Sequence, residues 1–368
     1  MNHCALPEVL FSFPYFLSFE NDQIFQFSFL YTHVLCYKMN LDGSEELRGG
    51  AGSMKKRKAV TQAIYREKKK VQSIREAPIP KTSKDIKENL NIKYQTTSTN
   101  GEFLRYSEYM EPLLEDKLML VFMSEFGKDI LGRSETMYCD GTFATAPEPF
   151  KQIFFVMGRM PGKRPIICAF SLLPNKEFKT YKKMMEVICN TVVFQEGQLT
   201  RLMVDFEKGV RKAFKEQFPS IPIVGCKFHH LQAMCRNLQS IGLVSLYGQD
   251  LNFQYAVKLI YALSYVPAGE VRNCFRDVVI PAFKELEKEE YFDDYSDEID
   301  QFLSYVKRTW IGRADRQPTY ALKTWNKHSE VVADKCLTNN VVESFNSSWT
   351  DSLTRRPSLY EVLGGFKR

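Results

Sequence analysis

Met137-Tyr138-Cys139-Asp140-Gly141-Thr142-Phe143 sets one carboxylate at the end of a short apolar run, directly before a glycine. Further on, Leu202-Met203-Val204-Asp205-Phe206-Glu207 repeats the arrangement. Each stretch reads as a buried strand with an acid near its end. Two such strands side by side would hold two like charges together, which is costly in the absence of a counter-ion. The pattern therefore points to a divalent cation held between Asp140 and Asp205.

Outward from these stretches, strands are predicted at Thr136–Phe143, Gln152–Arg159 and Pro165–Leu173, with turn signals at Pro147, Pro149 and Pro161-Gly162 between them. A helix over Phe178–Val193 follows, then a strand at Leu199–Phe206, a helix at Gly209–Phe218 and a strand at Ile221–Gly225. That strand runs into Cys226-Lys227-Phe228-His229-His230 and a helix to about Ile241. Upstream, Leu118–Met123 is a short apolar run and Glu125–Leu131 one or two helical turns. The order predicts an α/β fold, a mixed sheet with helices on both faces. After Gly248, apolar residues recur at three- and four-residue steps, as in Val271, Cys274, Phe275, Val278 and in Ile299, Phe302, Leu303, Val306, Trp310. Residues 249–335 are therefore read as an all-helical insertion, because the chain returns to the site at Thr338–Asn346.

The 368 residues are 44% hydrophobic, enough for a sizeable core, and carry a net charge of +6. The charge is local. Between Lys55 and Glu88 there are twelve Lys/Arg against four Asp/Glu, a net +8, which leaves the remainder at −2. Residues 1–53 are an unassigned segment ending in linker-like sequence, and residues 54–92 read as a flexible basic arm. Its runs Lys55-Lys56-Arg57-Lys58 and Lys68-Lys69-Lys70 fit a solvated tail, a nuclear-import signal or a phosphate-binding arm. Residues 93–368 are expected to form one domain. Nine scattered cysteines, an odd number, fit buried thiols in a reducing compartment and argue against a disulfide scaffold. No apolar run is long enough for a membrane span, and no signal peptide is expected.

Four landmarks resemble the transposase domain of Mutator-like elements (MULE). They are Tyr138–Phe143 followed by Ala146-Pro147-Glu148-Pro149-Phe150, then Asp205-Phe206-Glu207, then Cys226-Lys227-Phe228-His229, then Asn339-Asn340-Val341-Val342-Glu343. The resemblance covers roughly Lys117–Trp349. It implies a ribonuclease-H-like fold with the helical insertion before the last acid. It also implies a DDE-type enzyme: Asp140, Asp205 and Glu343 bind two Mg²⁺ (or Mn²⁺) ions and catalyse DNA strand cleavage and strand transfer. DNA is then the partner, a homo-oligomer is compatible, no membrane is involved, and the location is nuclear. The alternative is a domesticated, catalytically silent DNA-binding protein of the same fold. A ribonuclease or exonuclease on that fold is a third class.

Each residue also has a plainer reading. Asp140 before Gly141 could be a turn residue. Asn340 and Glu343 have capping-box spacing, which competes with a metal role for the same carboxylate. Cys226 and His229 supply two donors where zinc needs four, so zinc is not expected, and they read instead as a buried thiol and a helix-start imidazole near the site. His229 or His230 could touch a phosphate. Glu207, two residues past Asp205 on a strand, would face the same side and is a candidate accessory ligand. Arg313, Arg316 and Lys323 with Trp310, Tyr320 and Trp325 could bind DNA by phosphate contact and stacking, or the aromatics could be core.

Overall fold

The computed structural model describes residues 79–111, 116–313, 315–333, 345, 348–354 and 357–366. Seven strands form one sheet: β1 (Leu104–Tyr109), β2 (Leu118–Met123), β3 (Thr136–Thr142), β4 (Gln152–Arg159), β5 (Ile166–Leu173), β6 (Arg201–Val204) and β7 (Ile223–Gly225). Their spatial order is β1-β2-β5-β4-β3-β6-β7. Neighbours among the first five are antiparallel, whereas β6 pairs parallel with both β3 and β7. The fold is thus mixed α/β, as expected.

The strands are apolar on both sides because both faces are covered. Met119, Val121, Met137, Cys139, Leu202 and Val204 share one core with Tyr181 and Met184 of α3 (Phe178–Thr191) and Phe214 of α4 (Lys208–Gln217). Ile130 and Leu131 of α2 (Glu125–Gly132) join it. On the other face Leu118, Leu120, Phe122, Phe155 and Phe170 pack against α1 (Ser83–Asn89), the helical residues 348–352 and a C-terminal helix, Leu359–Phe366.

Two features leave no mark in the sequence pattern. Strand β1 is only half-buried and lacks a clear alternation. Residues assigned to the basic arm also enter the core: Ile86 and Leu90 are buried, as is Tyr94 just beyond the arm, which stacks on Tyr360 at 4.5 Å. Three well-spaced apolar side chains suffice to anchor an otherwise charged segment. The runs Lys55–Lys58 and Lys68–Lys70 lie outside the described residues.

The helical block begins with α5 (Lys227–Ser240) and continues through α6 (Val244–Gln249) and α7 (Leu251–Ala262). Next come α8 (Val271–Cys274), a π-helical turn (Phe275–Val279) and α9 (Ile280–Glu285). The acidic α10 (Phe292–Val306) runs into a second π-turn, Lys307–Ile311, and the short α11 (Leu322–Trp325) and α12 (His328–Val332) follow. Its core is separate from the sheet's and is built on Phe253, Val257, Ile260, Phe302, Trp310 and Trp325.

Helix α2 lies directly on β5. A Cβ added at Gly127 would sit 2.2 Å from the Cys168 carbonyl oxygen. Gly127→Ala is therefore expected to destabilise by about 1–3 kcal/mol through overpacking, outweighing the roughly 1 kcal/mol that alanine gains in a helix. A lower urea midpoint at unchanged slope is the expected readout.

Candidate metal centre

The parallel pairing of β3 and β6 fixes the site. Thr136, Met137 and Tyr138 lie opposite Arg201, Leu202 and Met203, so the register runs toward Asp140 and Asp205 at the same end of the pair. Adjacent strands run about 4.8 Å apart. Alternation places Asp140 on the face that carries Tyr138, away from Cys139, and Asp205 directly follows Val204, the last residue of β6. Burial pushes the Cys139 thiol well up, and the charges of Asp140 and Asp205 add to it.

Asp140 is only 8% exposed, and its Oδ1 accepts from the Gly141 amide at 2.9 Å. Gly141 has no room for a side chain, since a Cβ there would meet Gln152 Nε2 at 1.7 Å. Asp205 follows the last residue of β6 and caps the turn, Oδ1 accepting from the Glu207 amide at 3.0 Å. Arg211 of α4 braces that turn by donating to the carbonyls of Asp205 (3.4 Å) and Ile223 (3.2 Å).

Glu207 departs from expectation. The strand ends at Val204, so alternation no longer governs it. Its Oε1 lies 2.9 Å from the hydroxyl of Tyr181, on the opposite face of the sheet, and that hydroxyl is also 2.9 Å from Gln152 Oε1. Burial pushes the Glu207 carboxyl up, and Asp205 adds to the shift. Lys176 counters it, and its Nζ stands 3.2 Å from the centre of the exposed Phe143 ring. Nothing in the sequence marks this cation beside Glu207, since it reads as one lysine in a loop.

Helix α5 starts at the same end of the sheet. Cys226 is its fully buried N-cap residue, and its amide donates to the Val204 carbonyl at 3.0 Å. His229, in the first turn, brings Nε2 to 3.9 Å from Asp140 Oδ1. His230 points elsewhere, into a box of Trp310 (4.4 Å), Trp325 (4.7 Å) and Phe206 (6.0 Å). Both its ring nitrogens are buried without a hydrogen-bond partner among the described residues, so it cannot touch a phosphate. Cys235 meets the Tyr261 hydroxyl at 3.4 Å. Among the described residues no three His, Cys, Asp or Glu side chains are grouped to hold a metal ion. Asn340 and Glu343 lie outside the described residues.

The aromatic residues offered for stacking on DNA serve the core instead. Trp310 and Trp325 are each 1% exposed, and the Tyr320 hydroxyl donates to the Phe206 carbonyl. Large rings at helical spacing have more to gain from burial than from solvent.

Phe345 ties the C-terminal region to this face. It packs on the cluster of Tyr138, Met157, Met203 and Val224. Its ring is 5.1 Å from that of Phe155, the residue directly opposite Asp140 in the β3–β4 ladder.

Residues 136–233 match the MULE transposase domain. No curated protein matches the chain. The MULE match opens on the first residue of β3 and ends within α5. It therefore takes in Asp140, Asp205, Cys226 and His229 and leaves out the rest of the helical block and Glu343. The resemblance read from the sequence holds over those residues. No helix among the described residues is long and apolar enough to cross a membrane.

Burial holds the His230 imidazole well below its usual range, and Lys227 and Lys327 depress it further. Unfolded imidazole protonates near about pH 6.5, whereas the folded one resists. The unfolded chain thus binds the extra proton, and the stability that neutral His230 contributes is present above that pH and lost as pH falls below it. His230→Phe, which suits the aromatic box, should remove this loss. Its stability relative to wild type should rise steadily as pH is lowered from about 6.5 to 5 in denaturant titrations.

Proposed function

We propose that the chain is a transposase-derived protein that cleaves and joins DNA strands at Asp140, Asp205 and Glu343, on a ribonuclease-H-like sheet. The single observation that carries the reading is the in-register parallel pairing of β3 and β6, which runs toward Asp140 and Asp205 at the same end of the sheet. The MULE match over those two strands supports it independently. Glu343, the third member, comes from the resemblance read in the sequence and lies outside the described residues.

The donor set suits Mg²⁺ or Mn²⁺. Carboxylate oxygens are hard ligands, and two of them side by side, one buried and one half-buried, are unfavourable without a cation. When bound, two such ions would supply an activated water and stabilisation of the leaving 3′-oxygen. The chain's own groups do the rest. The amides of Gly141 and Glu207 each hold one carboxylate by a hydrogen bond, which limits its rotation. His229 stands beside Asp140, where a phosphodiester would approach. The first cut uses water as nucleophile, and the freed 3′-hydroxyl then attacks a second strand. DNA as substrate agrees with the nuclear location suggested by the basic arm.

The test is a nicking and strand-joining assay on duplex DNA with Mg²⁺ or Mn²⁺ and with chelator. Cleavage should require the divalent ion. Asp140→Asn, Asp205→Asn and Glu343→Gln should each lower it by at least about a hundredfold, because losing a ligand forfeits several kcal/mol of charge stabilisation. Wild-type cleavage no greater than in these variants, with DNA still bound, would establish the silent DNA-binding alternative instead.

A further inference from the structure

The helical block holds a second concentration of charge that the acidic centre does not use. Lys307 and Arg308 lie on the π-turn that continues α10, and Arg313 and Arg316 lie in the loop that follows. With Ser304, Gly312 and Gln317 they line a cavity of about 240 Å³. All four cations are exposed, and none forms an ion pair among the described residues, nearby Asp315 included. Elsewhere on the surface Arg105, Lys182 and Arg276 each hold a carboxylate.

The loop is folded so as to gather them. Gly312 has φ 76°, and a Cβ there would come within 2.6 Å of Pro318 Cδ, so the turn requires glycine. Arg313 donates its amide to the Arg316 carbonyl (2.7 Å), Thr319 to Arg308 (3.2 Å) and Tyr320 to Thr309 (3.0 Å). These bonds lay the loop back along the π-turn. Its far end is fastened to the acidic centre, because the Tyr320 hydroxyl donates to the carbonyl of Phe206, the neighbour of Asp205. Trp310, in the same π-turn, packs edge-on against the Phe206 ring at 5.0 Å.

We propose that this cavity docks backbone phosphates of the nucleic acid whose strand enters the acidic centre. The inference rests on the DNA reading above and adds a place of attachment to it. Four unpaired cations around one hollow favour an anion with several charges, and guanidinium forks match phosphate oxygens two at a time. The site reads no sequence, since phosphate contacts position a duplex without distinguishing bases. Of the mixed basic and aromatic set expected to bind DNA, the rings are thus withdrawn, while Arg313 and Arg316 keep their part.

The experiment measures binding of a labelled duplex to the full chain in chelator across a salt series. R308A/R313A/R316A is compared with K182A/K183A/K288A, which removes three surface lysines that are already paired with carboxylates. Every phosphate that the protein no longer neutralises lowers the slope of log K against log salt by about 0.9. The arginine variant should therefore fall by about 2 to 3 in slope, and the lysine control by less than about 1. R313A alone, falling by about 0.9, serves if the triple variant melts early. Equal slopes for the two triple variants, no binding by the wild-type chain, or equally tight binding of inorganic phosphate alone would overturn the proposal. Metal is absent throughout, so a failed nicking assay with the arginine effect intact sinks strand cleavage and leaves the docking site standing.

Discussion

Everything at this site follows from β3 and β6 lying parallel and in step. Had the register slipped by one residue, Leu202 and Val204 would leave the α3 and α4 core, and the end of β6 would no longer meet the end of β3 where Asp140 lies. The hydrophobic pattern that protects the core therefore also brings the two acids to the same end of neighbouring strands, so the stability of the sheet and the geometry of that end are one constraint.

Helices α3 and α4 both cover the same face, because each links two parallel strands, β5 to β6 and β6 to β7. Such crossovers have one preferred hand, so successive ones running the same way across the sheet fall on one side. The opposite face, at β3, β6 and β7, is then left to sequence-distant elements. Phe206 leans on Trp310 and Tyr320 of the helical block, and Phe345 arrives from beyond it. The interruption between the second acid and Glu343 is consistent with this geometry: whatever completes that face has to come from far along the chain.

How much of this is visible in the sequence depends on periodicity. Strands β3, β4 and β5 emerge within a residue or two at either end because apolar runs bounded by proline and glycine are unambiguous. The shorter β6 reads too long, since Asp205 and Phe206 continue the apolar pattern while their backbone turns away to cap α4. That same turn is why alternation puts Glu207 on the wrong face. Half-buried β1 and the three anchoring side chains of residues 86–94 have no pattern long enough to read. Among candidate site residues, the pairing of Asp140 with Asp205 can be argued from two similar stretches, but the cation at Lys176 and the hollow at Lys307–Arg316 depend on loops whose course no local pattern gives.

The cations also separate two uses of positive charge. Lys227 and Lys327 are fully buried behind the centre, where Lys227 donates to the Tyr261 carbonyl at 3.2 Å and Lys327 to Glu330 at 3.4 Å. Burial drives both ammonium groups down from their ordinary range. They are satisfied by the protein's own oxygens and have no access to solvent; the Lys227 ammonium fastens α5 to the end of α7, while the Lys327 backbone amide ties α12 to the Ser264 carbonyl at 2.6 Å. The four cations of the surface hollow have the opposite character: exposed, unpaired, and held by backbone bonds rather than by their own head groups. A fold that satisfies its buried lysines internally has no structural need for the outer ones. Their convergence is best explained by something outside the chain, and the fastening of their loop to Phe206 means that whatever binds there is held in a fixed relation to Asp205.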